Sequence, residues 1–97
     1  MAKGYWVSCY REIKDPDALA AYAKLAGPAV QAGGGKFLAR GGRIEAFEAG
    51  VKERTVVVEF PSFEQALATH DGADYQAAVE RLEGAVERDF RVIEGVD

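Results

Sequence analysis

The sequence predicts an α+β domain whose elements follow one another in the order β-α-β-β-α-β. The spacing of apolar residues switches several times along the 97-residue chain between the two-residue period of strands and the longer period of helices. Glycine, proline and aspartate cluster at the switches, as is typical of turns. The length fits a single domain, residues 1–97, with no repeat, linker or low-complexity segment.

The N-terminal part predicts one strand and one helix. Residues 4–11 are rich in aromatic side chains and predict a strand. Asp15-Pro16-Asp17 predicts a helix start, because aspartate caps, proline suits the first helical position and a second aspartate complements the helix dipole. Gly27-Pro28 predicts a bend or break, and Gly33-Gly34-Gly35 predicts the end. Apolar residues between them keep helical spacing: Leu19, Tyr22, Ala26 and Val30.

The middle of the chain predicts two strands joined by an arm. Residues 36–40 predict the second strand, and Gly41-Gly42 a bulge or turn after it. Residues 43–52 form the arm. Residues 53–60, with three consecutive valines, predict the third strand, which Pro61 ends.

The C-terminal part predicts a divided helix and a last strand. Ser62 and Gln65 have capping-box spacing, which predicts a short helix to about Thr69. His70-Asp71-Gly72 interrupts it. A longer helix follows, with one apolar face formed by Tyr75, Ala78, Val79, Leu82 and Val86. Residues 88–94 predict the fourth strand.

This order predicts a ferredoxin-like fold, in which right-handed crossovers place both helices on one face of a four-stranded antiparallel sheet. Side chains alternate between the faces of a sheet. We expect the helices to cover Val7, Cys9, Phe37, Ala39, Val56, Val58 and Phe60. The opposite face then receives Trp6, Ser8, Tyr10, Leu38, Arg40, Thr55, Val57 and Glu59.

The opposite face is too apolar to be left in water. Trp6, Tyr10, Leu38 and Val57 would form an exposed apolar patch, and such patches mark interaction sites. We therefore expect a second copy of the chain to pack its sheet against this one, which makes a homodimer with closed symmetry.

Four motifs in register resemble the family known as domain of unknown function thirteen-thirty. They are Ala39-Arg40-Gly41-Gly42, Val57-Val58-Glu59-Phe60-Pro61-Ser62, Asp74-Tyr75-Gln76 and Ile93-Glu94-Gly95. The resemblance covers nearly the whole chain. It implies a ferredoxin-like protomer of the dimeric α/β barrel superfamily and a homodimer of face-to-face sheets. It implies no reaction, because that superfamily includes cofactor-independent monooxygenases, small-molecule isomerases, haem enzymes and ligand-binding proteins.

Composition argues against several classes of partner. A net charge of −4 disfavours sequence-independent binding to nucleic acids and docking on anionic membranes. Cys9 is the only cysteine, which suits a reducing compartment and allows neither an internal disulfide nor a cysteine zinc site. With no signal peptide and no membrane span, we expect a cytoplasmic location. No cofactor motif is present, since Gly33-Gly34-Gly35-Lys36 leads into a strand and lacks the context of a phosphate-binding loop.

Four side chains are candidates for binding a ligand: Arg40, Glu59, Tyr75 and His70. Arg40 and Glu59 are expected on one face of a hairpin. Either Arg40 binds a substrate carboxylate or carbonyl while Glu59 orients it or acts as a base, or the two form an internal ion pair that fixes the dimer register. Tyr75 could line an aromatic-friendly pocket. His70 could be a general acid or base or could cap a helix end, and a metal site around this single histidine is not expected.

Two functions follow from these candidates. The chain could bind or transform a small organic acid or aromatic molecule without a cofactor, using a few polar groups in a mostly apolar pocket. Alternatively, it could be a non-catalytic structural or regulatory dimer. The sequence names neither a reaction nor catalytic residues.

Overall fold

The structure, a computed structural model, describes residues 2–97, which form four strands and three helices. In chain order these are β1 (Gly4–Ile13), α1 (Pro16–Ala32), β2 (Lys36–Arg40), β3 (Thr55–Phe60), α2 (Phe63–Asp71), α3 (Ala73–Glu80) and β4 (Val86–Glu94). The strands make one antiparallel sheet in the order β2-β3-β1-β4. The helices cover one face of this sheet, so the predicted ferredoxin-like fold is confirmed.

Helix α1 begins as predicted but does not break. The Asp15 carboxylate accepts hydrogen bonds from the backbone N–H groups of Asp17 and Ala18 at 3.1 and 3.2 Å. The helix then runs through Pro28 to Ala32. The predicted break at Gly27-Pro28 is wrong because Gly27 has no Cβ to collide with the proline ring, so the residue before proline can stay helical. The helix lacks the hydrogen bond that a proline N–H cannot make, and it continues past this position.

The second helical region divides as predicted but ends early. Ser62 Oγ accepts from the N–H of Gln65 at 3.0 Å, and Gly72 separates α2 from α3. Val86 begins β4 and does not belong to a helix, contrary to the prediction. The apolar pattern continues past the end of α3 because the turn that follows is itself buried, at Leu82 and Ala85.

The β1 strand lies in the opposite phase to the predicted one. Trp6, Ser8 and Tyr10 are buried beneath the helices, and Val7 and Cys9 are on the other face. The prediction was wrong because both alternating sets of β1 contain apolar residues, so alternation alone does not choose between them. Burial of the largest side chain decides, because the indole N–H of a buried tryptophan needs an acceptor.

A bulge in β2 reverses the predicted orientation of its last residues. The register between β2 and β3 shifts at Leu38, after which Arg40 stands opposite Val56. Val56 faces the helices, so Arg40 does too, and Ala39 faces away. The predicted placement of these two residues was wrong because the extra residue of a bulge inverts the alternation beyond it. Glu59 remains on the face away from the helices, as predicted.

The face of the sheet away from the helices, here called the open face, is partly apolar. Its members include Tyr5, Val7, Cys9, Val57, Glu59 and Ile93. No element within residues 2–97 covers it, and Ile93 is 57% exposed. The predicted apolar patch is therefore present, with a different set of residues from β1. No helix in the described part of the chain combines the length and the hydropathy needed to cross a membrane.

Candidate functional site

A cleft lies between α1 and the sheet. Helix α1 packs against α3, and its buried residues belong to the same core cluster as those of the sheet. The cavity between the two layers is small, about 40 Å³, and it opens to solvent. Its apolar walls come from both layers, and they include Trp6, Ala26, Val30, Phe37, Val56 and Val58.

Polar side chains reach the cleft from one row across the sheet. Tyr10 is at the centre of this row, and Arg88 of β4 stands directly opposite it. On the other side, the backbone N–H of Tyr10 donates to the carbonyl oxygen of Arg54 at 2.9 Å. Arg40 adds a third guanidinium from β2, with its Cζ 4.1 Å from the centre of the Phe37 ring. Arg40, Arg54 and Tyr10 line the cleft, and Arg88 lies just behind it.

Two tyrosines and Arg88 form a hydrogen-bonded cluster at the wall of the cleft. The hydroxyl oxygens of Tyr22 and Tyr75 are 2.6 Å apart. Arg88 Nη1 donates to both, at 3.1 Å to Tyr22 and 3.3 Å to Tyr75. Burial raises the pKa of Tyr75 well above its ordinary value, and the neighbouring Tyr22 raises it further. Burial also raises the pKa of Tyr10. Both groups are therefore neutral at physiological pH.

Two buried polar atoms of the cleft lack a hydrogen-bond partner among residues 2–97. They are Ser8 Oγ and Arg54 Nε. Ser8 is only 4% exposed, and both residues line the cleft. An unsatisfied buried polar group costs roughly 1–3 kcal/mol. These two groups are therefore available to a partner from outside the described residues, such as a water molecule or a ligand.

Gly41 allows the Arg54 side chain to lie against the backbone. Its φ is +69°, in the left-handed region, and a Cβ there would stand 2.5 Å from Arg54 Nη1. Any larger residue would push the guanidinium away. The predicted glycine turn after β2 thus helps to shape one end of the cleft.

The charge in and around the cleft is positive, although the chain as a whole carries −4. Within residues 2–97, none of Arg40, Arg54 and Arg88 forms an ion pair with a carboxylate, and the described lining contains no acidic residue. Arg54 and Arg88 are half-buried, where charges act more strongly on a bound group than the charge of the exposed Arg40 does. The site is thus suited to a negatively charged group.

The predicted pairing of Arg40 with Glu59 does not occur. Arg40 lines the cleft, and Glu59 lies on the open face, where the Tyr5 hydroxyl donates to it at 3.0 Å and Lys3 Nζ is 3.6 Å away. The internal ion pair of the alternative hypothesis was wrong for the same reason. The bulge at Leu38 places the two side chains on opposite faces of the sheet.

The other two predicted residues lie near the cleft without lining it. Tyr75 is 1% exposed and packs behind two lining residues, Trp6 and Tyr22. His70 is in the last turn of α2, where its Nδ1 lies 3.0 Å from Asp71 Oδ1. Its ring packs against the aromatic cluster of Trp6, Tyr75 and Phe90.

Sequence reasoning missed Ser8, Tyr22, Arg54 and Arg88 as site residues. A signal for the two arginines was present, because Arg54 precedes Val56 by two residues and Arg88 precedes Phe90 by two. Both are thus in phase with the apolar set of their strands. An arginine in that phase is predicted to face the helices. For metals, the described residues contain no group of three or more His, Cys, Asp or Glu side chains that could hold an ion.

The fold is similar to several solved structures. A protein of unknown function from Rhodopseudomonas palustris has a TM-score of 0.75 and 19% identity, over 99% of this chain and 84% of that one. A dimeric ferredoxin-like protein of unknown function from Thermobifida fusca has a TM-score of 0.64 and 17% identity, over 98% and 92%. A candidate antibiotic biosynthesis monooxygenase from Nitrosomonas europaea has a TM-score of 0.62 and 11% identity, over 98% and 90%. At these identities the likeness concerns the fold alone.

No curated protein matches the chain. The model of the family called domain of unknown function, DUF1330, matches residues 3–96, nearly the whole sequence. The resemblance based on the four sequence motifs is confirmed by this match. The chain therefore belongs to the DUF1330 family.

Proposed function

We propose that the cleft binds a small organic anion with an apolar or aromatic body. The observation that carries this proposal is the pair of buried, unpartnered atoms Ser8 Oγ and Arg54 Nε in one cleft. An oxyanion is the group that accepts hydrogen bonds from such donors and is stabilised by uncompensated guanidinium groups. Arg40 is the one predicted ligand-binding residue that keeps a direct role here.

The walls of the cleft support an apolar body for the ligand. Phe37, Val56 and Ala26 offer carbon surface on both sides of the gap. Mostly apolar walls with a few polar groups are usual for sites that bind small molecules. A single aromatic ring with one anionic substituent matches this combination of wall and charge.

Thermal unfolding with matched compounds tests the proposal. Benzoate and phenylacetate should raise the melting temperature in a concentration-dependent way, because they bind only the folded state. Benzamide, which keeps the ring and loses the charge, should have much less effect. In the Arg54→Gln variant the carboxylate effect should be lost.

The matched control is Arg81→Gln, which removes one positive charge at the exposed end of α3, outside the cleft lining. It should keep the response of the wild type. Equal shifts with benzamide, or equal loss in both arginine variants, would contradict the proposal, because the response would then reflect the ring or the overall charge.

We also propose a homodimer formed through the open face. Tyr5, Val7, Val57 and Ile93 supply apolar surface that no element within residues 2–97 covers. Support comes from the similar protein of Thermobifida fusca, which is described as dimeric. Light scattering at micromolar concentration should give twice the 10.5 kDa mass of the chain, and the mass of one chain would refute the dimer.

A cytoplasmic location is part of the same proposal. The free cysteine Cys9 on the open face supports it, because a single unpaired thiol suits a reducing compartment. Fractionation of the producing cells, with the protein detected by antibody, tests this location.

A further inference from the structure

The short hydrogen bond between Tyr22 and Tyr75 has a direction that the surroundings determine. Either hydroxyl could donate on distance alone, since the oxygens are 2.6 Å apart. Tyr75 is 1% exposed, and within residues 2–97 its hydroxyl forms hydrogen bonds only with Tyr22 and Arg88. A guanidinium donates and cannot accept. The Tyr75 proton therefore goes to the oxygen of Tyr22, since otherwise it would be buried without an acceptor.

This assignment leaves the Tyr22 proton free for the cleft. The Tyr22 oxygen accepts one hydrogen bond from Tyr75 and one from Arg88 Nη1 at 3.1 Å, which uses both of its lone pairs. Tyr22 itself is half-buried and lines the cleft. The only hydrogen bond that remains to its hydroxyl is a donated one, and residues 2–97 supply no acceptor for it, so it is available to a ligand in the cleft.

The other unpartnered groups of the cleft can also donate hydrogen bonds. Arg54 Nε can only donate, and Ser8 Oγ can donate as well as accept. A ligand oxygen near Tyr22 is thus required to be an acceptor. An ionised oxygen accepts more strongly than a protonated one, and the nearby guanidinium groups favour its charge.

We propose that Tyr22 is the specificity-determining hydrogen-bond donor of the cleft and that the ligand is held as an oxyanion in preference to its protonated form. The proposal rests on the proposed function and narrows it to one chemistry, which covers carboxylates and the ionised forms of acidic phenols and enols. Tyr75 is a positioning residue, because it acts by fixing the direction of the Tyr22 hydroxyl.

The pH titration of 4-nitrophenol on the protein tests this proposal, because the phenol and its anion differ in colour. The pKa of the probe should be lower when it is bound than when it is free. A hydrogen bond to a charged group is worth about a factor of ten or more in binding. Tyr22→Phe should therefore reduce the preference for the nitrophenolate over the phenol by about tenfold.

Two further variants distinguish the effect of the Tyr22 hydroxyl from the effect of removing any tyrosine hydroxyl. Tyr75→Phe frees the Tyr22 hydroxyl to rotate, and it should weaken the preference by a smaller factor than Tyr22→Phe. Tyr5→Phe removes a hydroxyl that bonds Glu59 on the open face, and it should leave the preference unchanged. An unchanged preference in folded Tyr22→Phe, or equal binding of both probe forms by the wild type, would overturn the proposal.

Failure of this inference is distinguishable from failure of the proposed function. If benzoate still raises the melting temperature in an Arg54-dependent way while the phenol is bound as well as its anion, the cleft binds anions but Tyr22 does not select them. If neither benzoate nor 4-nitrophenol binds, both proposals are refuted.

Discussion

Trp6 donates a hydrogen bond from its indole Nε1 to the carbonyl oxygen of Ala66, at 2.9 Å, and this bond ties β1 to α2. Both residues are fully buried. The bond fixes which side of β1 faces the helices. Because side chains alternate along a strand, it also determines that Ser8 and Tyr10 point into the cleft. The position of Trp6 in the core therefore determines which residues of β1 line the cleft.

Trp6→Phe should lower the free energy of unfolding by about 2 kcal/mol, because it removes the hydrogen bond and leaves a small cavity. Urea unfolding followed by circular dichroism measures this change. Tyr5→Phe, the neighbouring aromatic on the open face, is the control and should change stability by less than about 1 kcal/mol. Equal effects of the two substitutions would mean that Trp6 is not an anchor.

Stability should fall at alkaline pH, partly through Tyr75. Burial raises the pKa of Tyr75, so the folded state keeps this proton where the unfolded chain, with a tyrosine pKa near about 10, has begun to lose it. The stabilisation is complete below that pH and is lost as the pH rises above it. Urea midpoints at about pH 8 and about pH 11 should therefore differ less in Tyr75→Phe than in the wild type. An identical drop in both would show that Tyr75 does not contribute.

Ser8→Ala should leave stability unchanged or raise it by about 1 kcal/mol, because it removes a buried oxygen that has no partner. The same substitution should weaken binding of benzoate. Thermal unfolding with and without benzoate measures both effects in one experiment. A loss of stability in the absence of benzoate would indicate that the Ser8 hydroxyl contributes to the fold.

Gly4→Ala should destabilise the protein by about 1–3 kcal/mol, because the new Cβ overpacks the junction between β1 and α2. It would stand 2.6 Å from the Cα of Phe63, a backbone atom that cannot rotate away. Gly42→Ala is the matched control, since nothing lies within 4 Å of its Cβ position. It should be neutral or stabilise the protein by up to about 1 kcal/mol. Urea midpoints in the opposite order would contradict this packing.

Val57→Lys should convert the proposed dimer to a monomer. Val57 pairs with Val7 near the middle of the open face, where a lysine would be buried against the second copy without a partner. Light scattering should report half the wild-type mass, with an unchanged circular dichroism spectrum. Ala77→Lys, on the exposed side of α3, should remain a dimer. A dimeric Val57→Lys would place the interface elsewhere.

The element order and most helix boundaries were predictable from the sequence because they depend on local chemistry. Asp15 and Ser62 cap their helices through their own side chains, and Gly72 interrupts the second helical region. The phase of β1 was not predictable in this way. It depends on a partner for Trp6 that lies 60 residues further along the chain.

The candidate site was predictable only in part. The side chain of Arg40 faces the cleft because of a bulge in β2. A strand of five residues shows no sequence pattern from which this bulge could be predicted. Arg54 and Arg88, in contrast, are in phase with apolar residues of their own strands, and the printed sequence contains that signal. Their meeting around Tyr10 requires the strand order, because β3 and β4 pair with opposite edges of β1.

The bulge at Leu38 makes β2 tolerant of the loss of one residue. Deleting Leu38 would restore strict alternation and leave Ala39 opposite Val57 and Arg40 opposite Val56, as they are now. Arg40 would therefore stay at the proposed ligand site, and the surface proposed to meet a second copy would gain no charge. The length of this strand could thus change by one residue at the bulge without altering ligand recognition or self-association.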